Sequence, residues 1–163
     1  MPQPATLSAT RCTLGEGALW HPDRNSFLWF DILGHRLYEH DGQQERHWQF
    51  DRAVSAAGIV DAKRLLIASE RDLFLFDLDV ATESRLCDLE ADNPVTRSND
   101  GRADPLGGFW IGTMGYGGEP APGRSIAGTR ESCAGSLPRS AFPTRSVSPL
   151  MAGRPISRTR RPG

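Results

Sequence analysis

Short apolar runs separated by polar or glycine-containing turns make up the first 115 residues of the chain. Aromatic and branched residues are dense in FLWF at 27–30, and they recur in LLIAS at 65–69 and LFLFDL at 73–78. Runs this short, bounded by turn residues and without a helical period, are typical of β-strands. The pattern predicts an all-β fold with strands at 17–20, 26–32, 36–38, 55–60, 64–69, 73–78 and 85–89.

A weak internal repeat runs through the same region. Three times an apolar strand leads into a turn that contains aspartate, and a second apolar strand follows. The turn aspartates are Asp23, Asp61 and Asp104, which are 38 and then 43 residues apart. This spacing is typical of β-propeller blades, each of which is a four-stranded unit of about 40–50 residues. Because blades bury their faces only against neighbouring blades, a few blades alone are marginally stable.

The chain changes in composition near Pro120. Arg, Ser, Pro and Gly fill 26 of the 43 positions of residues 121–163, and six of these positions are proline. Proline removes a backbone donor and restricts φ, so this density is incompatible with a central strand or a helix. The composition predicts that residues 121–163 are a disordered or non-native tail after a folded region at 1–120.

The net charge changes sign at the same place, near Pro120. Residues 1–120 carry 11 Lys and Arg against 19 Asp and Glu, whereas residues 121–163 carry eight Arg and a single acid, Glu131. Such a contrast is found in basic tails that bind polyanions, and also where a segment has a different origin. The tail has no nucleic-acid-binding motif and no aromatic residue besides Phe142, so we expect no nucleic-acid partner.

Nothing in the sequence directs the chain to a membrane or to secretion. No apolar stretch is long enough for a membrane helix, and the N-terminus lacks a basic region followed by an apolar run. The three cysteines, Cys12, Cys87 and Cys133, lack metal-site spacing, and their odd number favours reduced thiols. We therefore expect a cytoplasmic protein with no membrane partner.

Three local patterns in residues 1–120 have chemical content. The first, LGEGALW at 14–20, places the Glu16 carboxylate between glycines at the start of a strand. The second, RSNDGRADP at 97–105, brings a cation, an amide and a carboxylate together. The third is FWIGTMG at 109–115. Taken singly, each has a simpler explanation, since an Asn-Asp-Gly triplet is most often a β-turn.

Together and in this order, the three patterns closely resemble the senescence-marker-protein (regucalcin)/gluconolactonase/luciferin-regenerating family. The resemblance covers roughly residues 10–120. It implies a six-bladed β-propeller with a divalent metal in its central channel, of which this chain would hold about two to three N-terminal blades. It also implies metal-dependent hydrolysis of sugar lactones, with the lactone as small-molecule partner.

The resemblance also assigns roles to individual residues. Glu16 matches the first metal ligand of the family, a hard oxygen donor suited to Ca²⁺ and usable by Zn²⁺ or Mn²⁺. Arg97 and Asn99 match residues that contact oxygens of the substrate, and Glu119 is the nearest candidate for an acid in the family's lid. Asp100 is interpreted as a carboxylate of a turn or one that supports a ligand.

The tail departs from the family pattern. The family takes two further metal ligands, an Asn and an Asp, from later blades, and that Asp also serves as the catalytic acid and base. Residues 121–163 contain neither Asn nor Asp, so no catalytic residue is assigned. The alternative to a lactonase is therefore a catalytically inactive, truncated propeller fragment. We further expect self-association through its open edge.

A shifted reading frame accounts for the tail. If each codon is formed from the third base of one codon and two bases of the next, residues 141–160 permit IPNAICFSPDGRTAYFTDT. The same shift permits GAGSIYRW from Pro120 to Gly128. Both strings read as β-rich propeller sequence, and the first contains an Asn at the expected place. The hypothesis is a reading-frame slip after Pro120.

Overall fold

The computed structural model describes residues 3, 5–104, 108–117 and, by their backbone, 125–128. These residues form three antiparallel sheets and no helix, so the all-β prediction is confirmed. The first sheet contains β1 (Gly15–His21), β2 (Ser26–Asp31), β3 (Arg36–His40) and β4 (Glu45–Gln49). The second contains β5 (Val54–Ile59), β6 (Arg64–Ser69), β7 (Asp72–Asp77) and β8 (Glu83–Asp88). The third contains β9 (Thr96–Ala103), β10 (Phe109–Gly115) and β11 (Ser125–Gly128).

Each sheet is a meander in which consecutive strands pair as neighbours. The predicted turn aspartates lie between the first and second strands of each sheet, and two of them hold these turns by hydrogen bonds. Asp61 Oδ1 accepts the backbone N–H groups of Lys63 and Arg64, both at 2.9 Å. Asp104 accepts the Gly108 N–H at 2.9 Å. A short carboxylate closes the turn because it satisfies backbone donors that face away from the ladder.

The second sheet is packed on both faces, and β6 shows this most clearly. Leu65 and Ile67 belong to a core cluster shared with the first sheet, whereas Leu66 and Ala68 belong to a cluster shared with the third. This alternation follows from the two-residue period of a strand. Each sheet is therefore stabilised by its neighbours along the chain. Side chains fully buried in these clusters include Leu28, Phe30, Leu37, Phe74 and Val54.

One interpretation is wrong. The Asn-Asp-Gly triplet is not a turn, because Asn99, Asp100 and Gly101 lie inside β9. Ser125–Gly128 pair with β10 as β11, and the disordered or non-native character of residues 121–163 stays a prediction. The rest of residues 121–163, the boundary at Pro120 and the candidate Glu119 lie outside the described residues.

Large apolar side chains are exposed on the outer sheets. Trp20 of β1 and Trp110 of β10 are 53% and 54% exposed. Self-association through such surfaces stays a prediction. Cys12 is a free thiol. In the part of the chain that is described, no helix is long and apolar enough to cross a membrane.

Candidate functional site

The first strands of the three sheets lie side by side and line a common cleft. β5 packs against both β1 and β9. The cleft has a volume of about 550 Å³ and runs along all three strands. Its lining includes Glu16 and Leu19 from β1, Ala57 and Ile59 from β5, and Asp100 and Arg102 from β9.

Each of these three strands contains a β-bulge. In β1, Gly17 and Ala18 are inserted between the residues that pair with Phe30 and Leu28. In β5, Ser55 is inserted between residues paired with Ser69 and Ala68. An extra residue in one strand bends the chain locally and redirects its side chains.

The bulge of β9 contains Asn99 and Asp100 and begins two residues after Arg97. Ser98 pairs with Thr113 and Gly101 pairs with Ile111, so Asn99 and Asp100 together face the single residue between those partners. Because the regular alternation of side chains is interrupted here, neighbouring positions of β9 are not restricted to opposite faces.

The bulge of β5 contacts the bulge of β1 and the residue that precedes the bulge of β9. Ser55 Oγ and Ser98 Oγ are 2.7 Å apart, and both side chains are fully buried. Gly17 has a φ of +64°, and a Cβ there would lie 2.3 Å from the Ser55 carbonyl oxygen. Glycine is required at position 17 both for its backbone angle and for this close approach. Glu16, Ser55 and the pair Arg97 and Asn99 are thereby placed at one level of adjacent strands.

Arg97 is a buried cation for which the described residues provide no counter-ion. Arg97 is only 4% exposed to solvent. Nη1 donates to the Ser98 carbonyl at 3.0 Å and to Asn99 Oδ1 at 3.1 Å, and Nη2 approaches Met114 Sδ at 3.6 Å. Nε has no hydrogen-bond partner. Among the described residues, Arg97 forms no ion pair.

Arg52 shows how the same fold otherwise accommodates a buried guanidinium. Its Nε is 3.1 Å from Asp72, its Nη1 is 2.8 Å from Asp51 and its Nη2 is 2.7 Å from Glu83. These carboxylates raise the pKa of Arg52 although burial opposes the shift. A buried charge is costly unless it is paired. The unpaired charge of Arg97 is therefore a feature that packing alone does not explain.

Glu16 lies apart from this pair. Its side chain is exposed at the cleft, whereas Arg97 and Asn99 are not among the residues that line it. No group of three or more His, Cys, Asp or Glu side chains capable of holding a metal occurs within the described part of the chain. Calcium takes six to eight oxygen ligands, so the described donor set does not fit a complete metal site.

Two further groups near Arg97 were not found from the sequence. The Tyr116 hydroxyl, which follows β10, donates to the Glu70 carboxylate of the second sheet. Burial, followed by this hydrogen bond, raises the pKa of Tyr116 to about 12. Ser55 and Ser98 were also missed. A single serine has no sequence pattern that would mark it as functional. Tyr116 could have been noticed because it closely follows the Gly-Thr-Met pattern.

Sequence and structure comparisons define the class to which this fold and this cleft belong. The family described as the SMP-30/gluconolactonase/LRE-like region matches residues 14–140, which is more than half of the chain. The chain therefore belongs to this family, and the predicted membership is confirmed.

Particular relatives are lactonases and a regucalcin. An L-arabinolactonase of Azospirillum brasilense is 34% identical over 129 residues, covering 77% of this chain and 42% of the relative. A pentonolactonase of Haloferax volcanii is 35% identical over 112 residues, which cover 64% of this chain and 36% of the relative.

The crystal structure of regucalcin from Agrobacterium tumefaciens, described as a calcium-binding protein, superimposes with a TM-score of 0.72. It is 35% identical, and the match covers 76% of this chain and 43% of that one. The chain thus spans about two-fifths of the length of the relatives that it matches.

Proposed function

We propose that this chain carries the lactone-recognition part of a metal-dependent sugar lactonase. The observation that supports this most is the buried Arg97 beside Asn99, which forms no ion pair with any residue that the structure describes. An uncompensated guanidinium is the group expected where a ligand supplies the missing oxygen atoms. The three sheets would be consecutive blades of a six-bladed propeller, and the cleft along β1, β5 and β9 would be part of its central channel.

The proposed roles follow from the chemistry of each side chain. The free Nε of Arg97 would donate to an oxygen of the lactone and stabilise negative charge that develops there. Asn99, which is already held by Arg97, would orient hydroxyl groups of the sugar. Glu16 would be one ligand of a divalent cation, Ca²⁺, Zn²⁺ or Mn²⁺, and Glu119 would contact the substrate. A cytoplasmic location also belongs to this proposal.

A catalytically inactive fragment is the second candidate, favoured by the absence of a three-ligand metal cluster among the described residues. The two candidates are separated by assaying hydrolysis of L-arabinono-1,4-lactone with added Ca²⁺, Zn²⁺ or Mn²⁺, and lactone binding by calorimetry. Metal-dependent turnover that is lost in Glu16→Gln but retained in the exposed control Asp92→Asn would support the lactonase and contradict the fragment. Binding without turnover would support the fragment. A chain that neither binds nor hydrolyses the lactone would overturn both the lactone partner and the role of Arg97.

The boundary at Pro120 is proposed to be a reading-frame slip in the gene. In support of this, composition and charge change at this point, and the shifted frame permits the two β-rich strings given above. We expect that one single-base insertion or deletion near codon 120 opens a frame that encodes the propeller-like strings above. Nucleotide sequencing tests this directly, and a gene in which no such change opens the frame would contradict it.

A further inference from the structure

A buried hydrogen bond joins the strand that carries the candidate site to the middle sheet. Ser55 Oγ in the bulge of β5 and Ser98 Oγ in β9 are 2.7 Å apart, and both residues have no exposed surface. Ser98 lies between Arg97 and Asn99 in the sequence. Its hydroxyl is therefore fixed from one side at the point where β9 departs from regular pairing.

Ser98 also holds the guanidinium of Arg97. Arg97 Nη1 donates to the Ser98 carbonyl at 3.0 Å, in addition to its bond with Asn99 Oδ1. A continuous chain of contacts thus leads from the Ser55 hydroxyl through Ser98 to the Arg97 side chain. Because the hydroxyls are shielded from water, loss of either one leaves the other without a partner.

Ser55 makes its second contact with β1. A Cβ added to Gly17 would lie only 2.3 Å from the Ser55 carbonyl oxygen, so the β1 bulge packs directly against this oxygen. Glu16 immediately precedes this glycine. One residue, which does not itself line the cleft, therefore touches both neighbouring strands that carry proposed ligand groups.

From this geometry we propose that Ser55 is a positioning residue of the lactone site. Through Ser98 it fixes the placement of Arg97 and Asn99, and through its carbonyl it fixes the β1 bulge next to Glu16. This inference rests on the proposed function, since it names a residue that acts on the same site. Ser55 contacts no substrate in this scheme.

The test compares Ser55→Ala, Ser98→Ala and the double variant with Ser69→Ala. Ser69 is the matched control because it is equally buried in the same sheet, and its hydroxyl bonds to Asp72 instead of β9. Calorimetry measures binding of L-arabinono-1,4-lactone at a temperature where circular dichroism shows every variant folded. A displacement of about 1 Å in a positioned group can cost up to about 100-fold, so we expect each single variant at 55 or 98 to bind about 10-fold more weakly.

The double variant should bind no more weakly than either single one, because both substitutions remove the same bond. Ser69→Ala should retain wild-type affinity even if it lowers stability. Wild-type affinity in Ser55→Ala, or an equal loss in Ser69→Ala, would overturn the proposal.

A second readout separates this inference from the proposed function. The Arg97 Nε–H resonance, assigned in ¹⁵N NMR spectra by its disappearance in Arg97→Lys, reports the placement of the guanidinium without any ligand. We expect it to shift in Ser55→Ala and to stay in place in Ser69→Ala. If the wild-type chain binds no lactone, the proposed function fails, while a shifted resonance still supports the positioning role. An unshifted resonance in Ser55→Ala overturns it.

Discussion

Replacing Gly17 by alanine is expected to lower the free energy of unfolding by about 2–5 kcal/mol. The left-handed backbone at a φ of +64° costs a residue with a Cβ roughly 1–2 kcal/mol. The added methyl group would lie 2.3 Å from the Ser55 carbonyl and 2.7 Å from the Phe30 ring, and such overpacking adds about 1–3 kcal/mol. Urea denaturation followed by tryptophan fluorescence measures the loss.

Gly42 provides the matched control. It also has a positive φ, at +94°, but a Cβ there would meet no atom within 4 Å. Gly42→Ala should therefore cost only the backbone share, about 1–2 kcal/mol. Equal losses in the two variants would show that the contact between the β1 and β5 bulges does not constrain the fold.

The strands and their turns could be predicted because their signals are local. β6 was predicted with its observed ends, since its apolar run is bounded by polar residues and buried on both faces. Four of the five residues of β4 are exposed, and only Trp48 is partly buried, so no apolar alternation marked this strand. Sheet pairing, not side-chain burial, defines β4.

The Asn-Asp-Gly triplet shows where local chemistry misleads. Isolated, the triplet has the residues of a turn, and the turn interpretation was wrong because β10 pairs with Ser98 before the triplet and with Gly101 at its end. Asp100 satisfies the Gly101 N–H with its own carboxylate at 2.8 Å, which is a turn-like contact made inside a strand. A bulge arises from the pairing of two distant segments, so it could not be derived from nine residues alone.

For a similar reason, only part of the candidate site could be predicted from the sequence. Arg97 and Asn99 are two residues apart, and their side chains form a hydrogen bond with each other. Ser55 and Ser98 are 43 residues apart in the sequence, and Glu70 and Tyr116 are 46 residues apart. No local sequence pattern therefore predicts these contacts. They follow from placing the first strands of successive sheets side by side. The roles of Glu16, Arg97, Asn99 and Glu119 toward a metal or a lactone stay predictions.

Exchanging Arg97 for methionine is expected to leave the unfolding free energy unchanged or to raise it, while lactone binding falls more than 10-fold. The substitution removes a buried charge that finds no counter-ion, and whose Nε finds no hydrogen-bond partner, in the described part of the chain. Methionine fills a similar volume beside Met114, which already contacts the guanidinium. Stability and binding should therefore change in opposite directions, as happens where a group is kept for function at a cost in stability.

Arg52→Met is the matched control, because Arg52 is nearly as buried but fully paired. Its removal takes the nearest cation from the buried Asp72 carboxylate, which keeps the Ser69 hydroxyl and the more distant, exposed Arg85. It also ends the contact of the guanidinium with the Phe74 ring at 4.4 Å. Breaking a buried pair in this way costs roughly 3–5 kcal/mol, so this variant should lose stability. At a temperature where it remains folded, it should keep its affinity for the lactone. Thermal denaturation and calorimetric titration of the two variants give both quantities. If Arg97→Met is destabilised as strongly as Arg52→Met, the charge of Arg97 is compensated within the protein, and its assignment as a ligand-binding group is wrong.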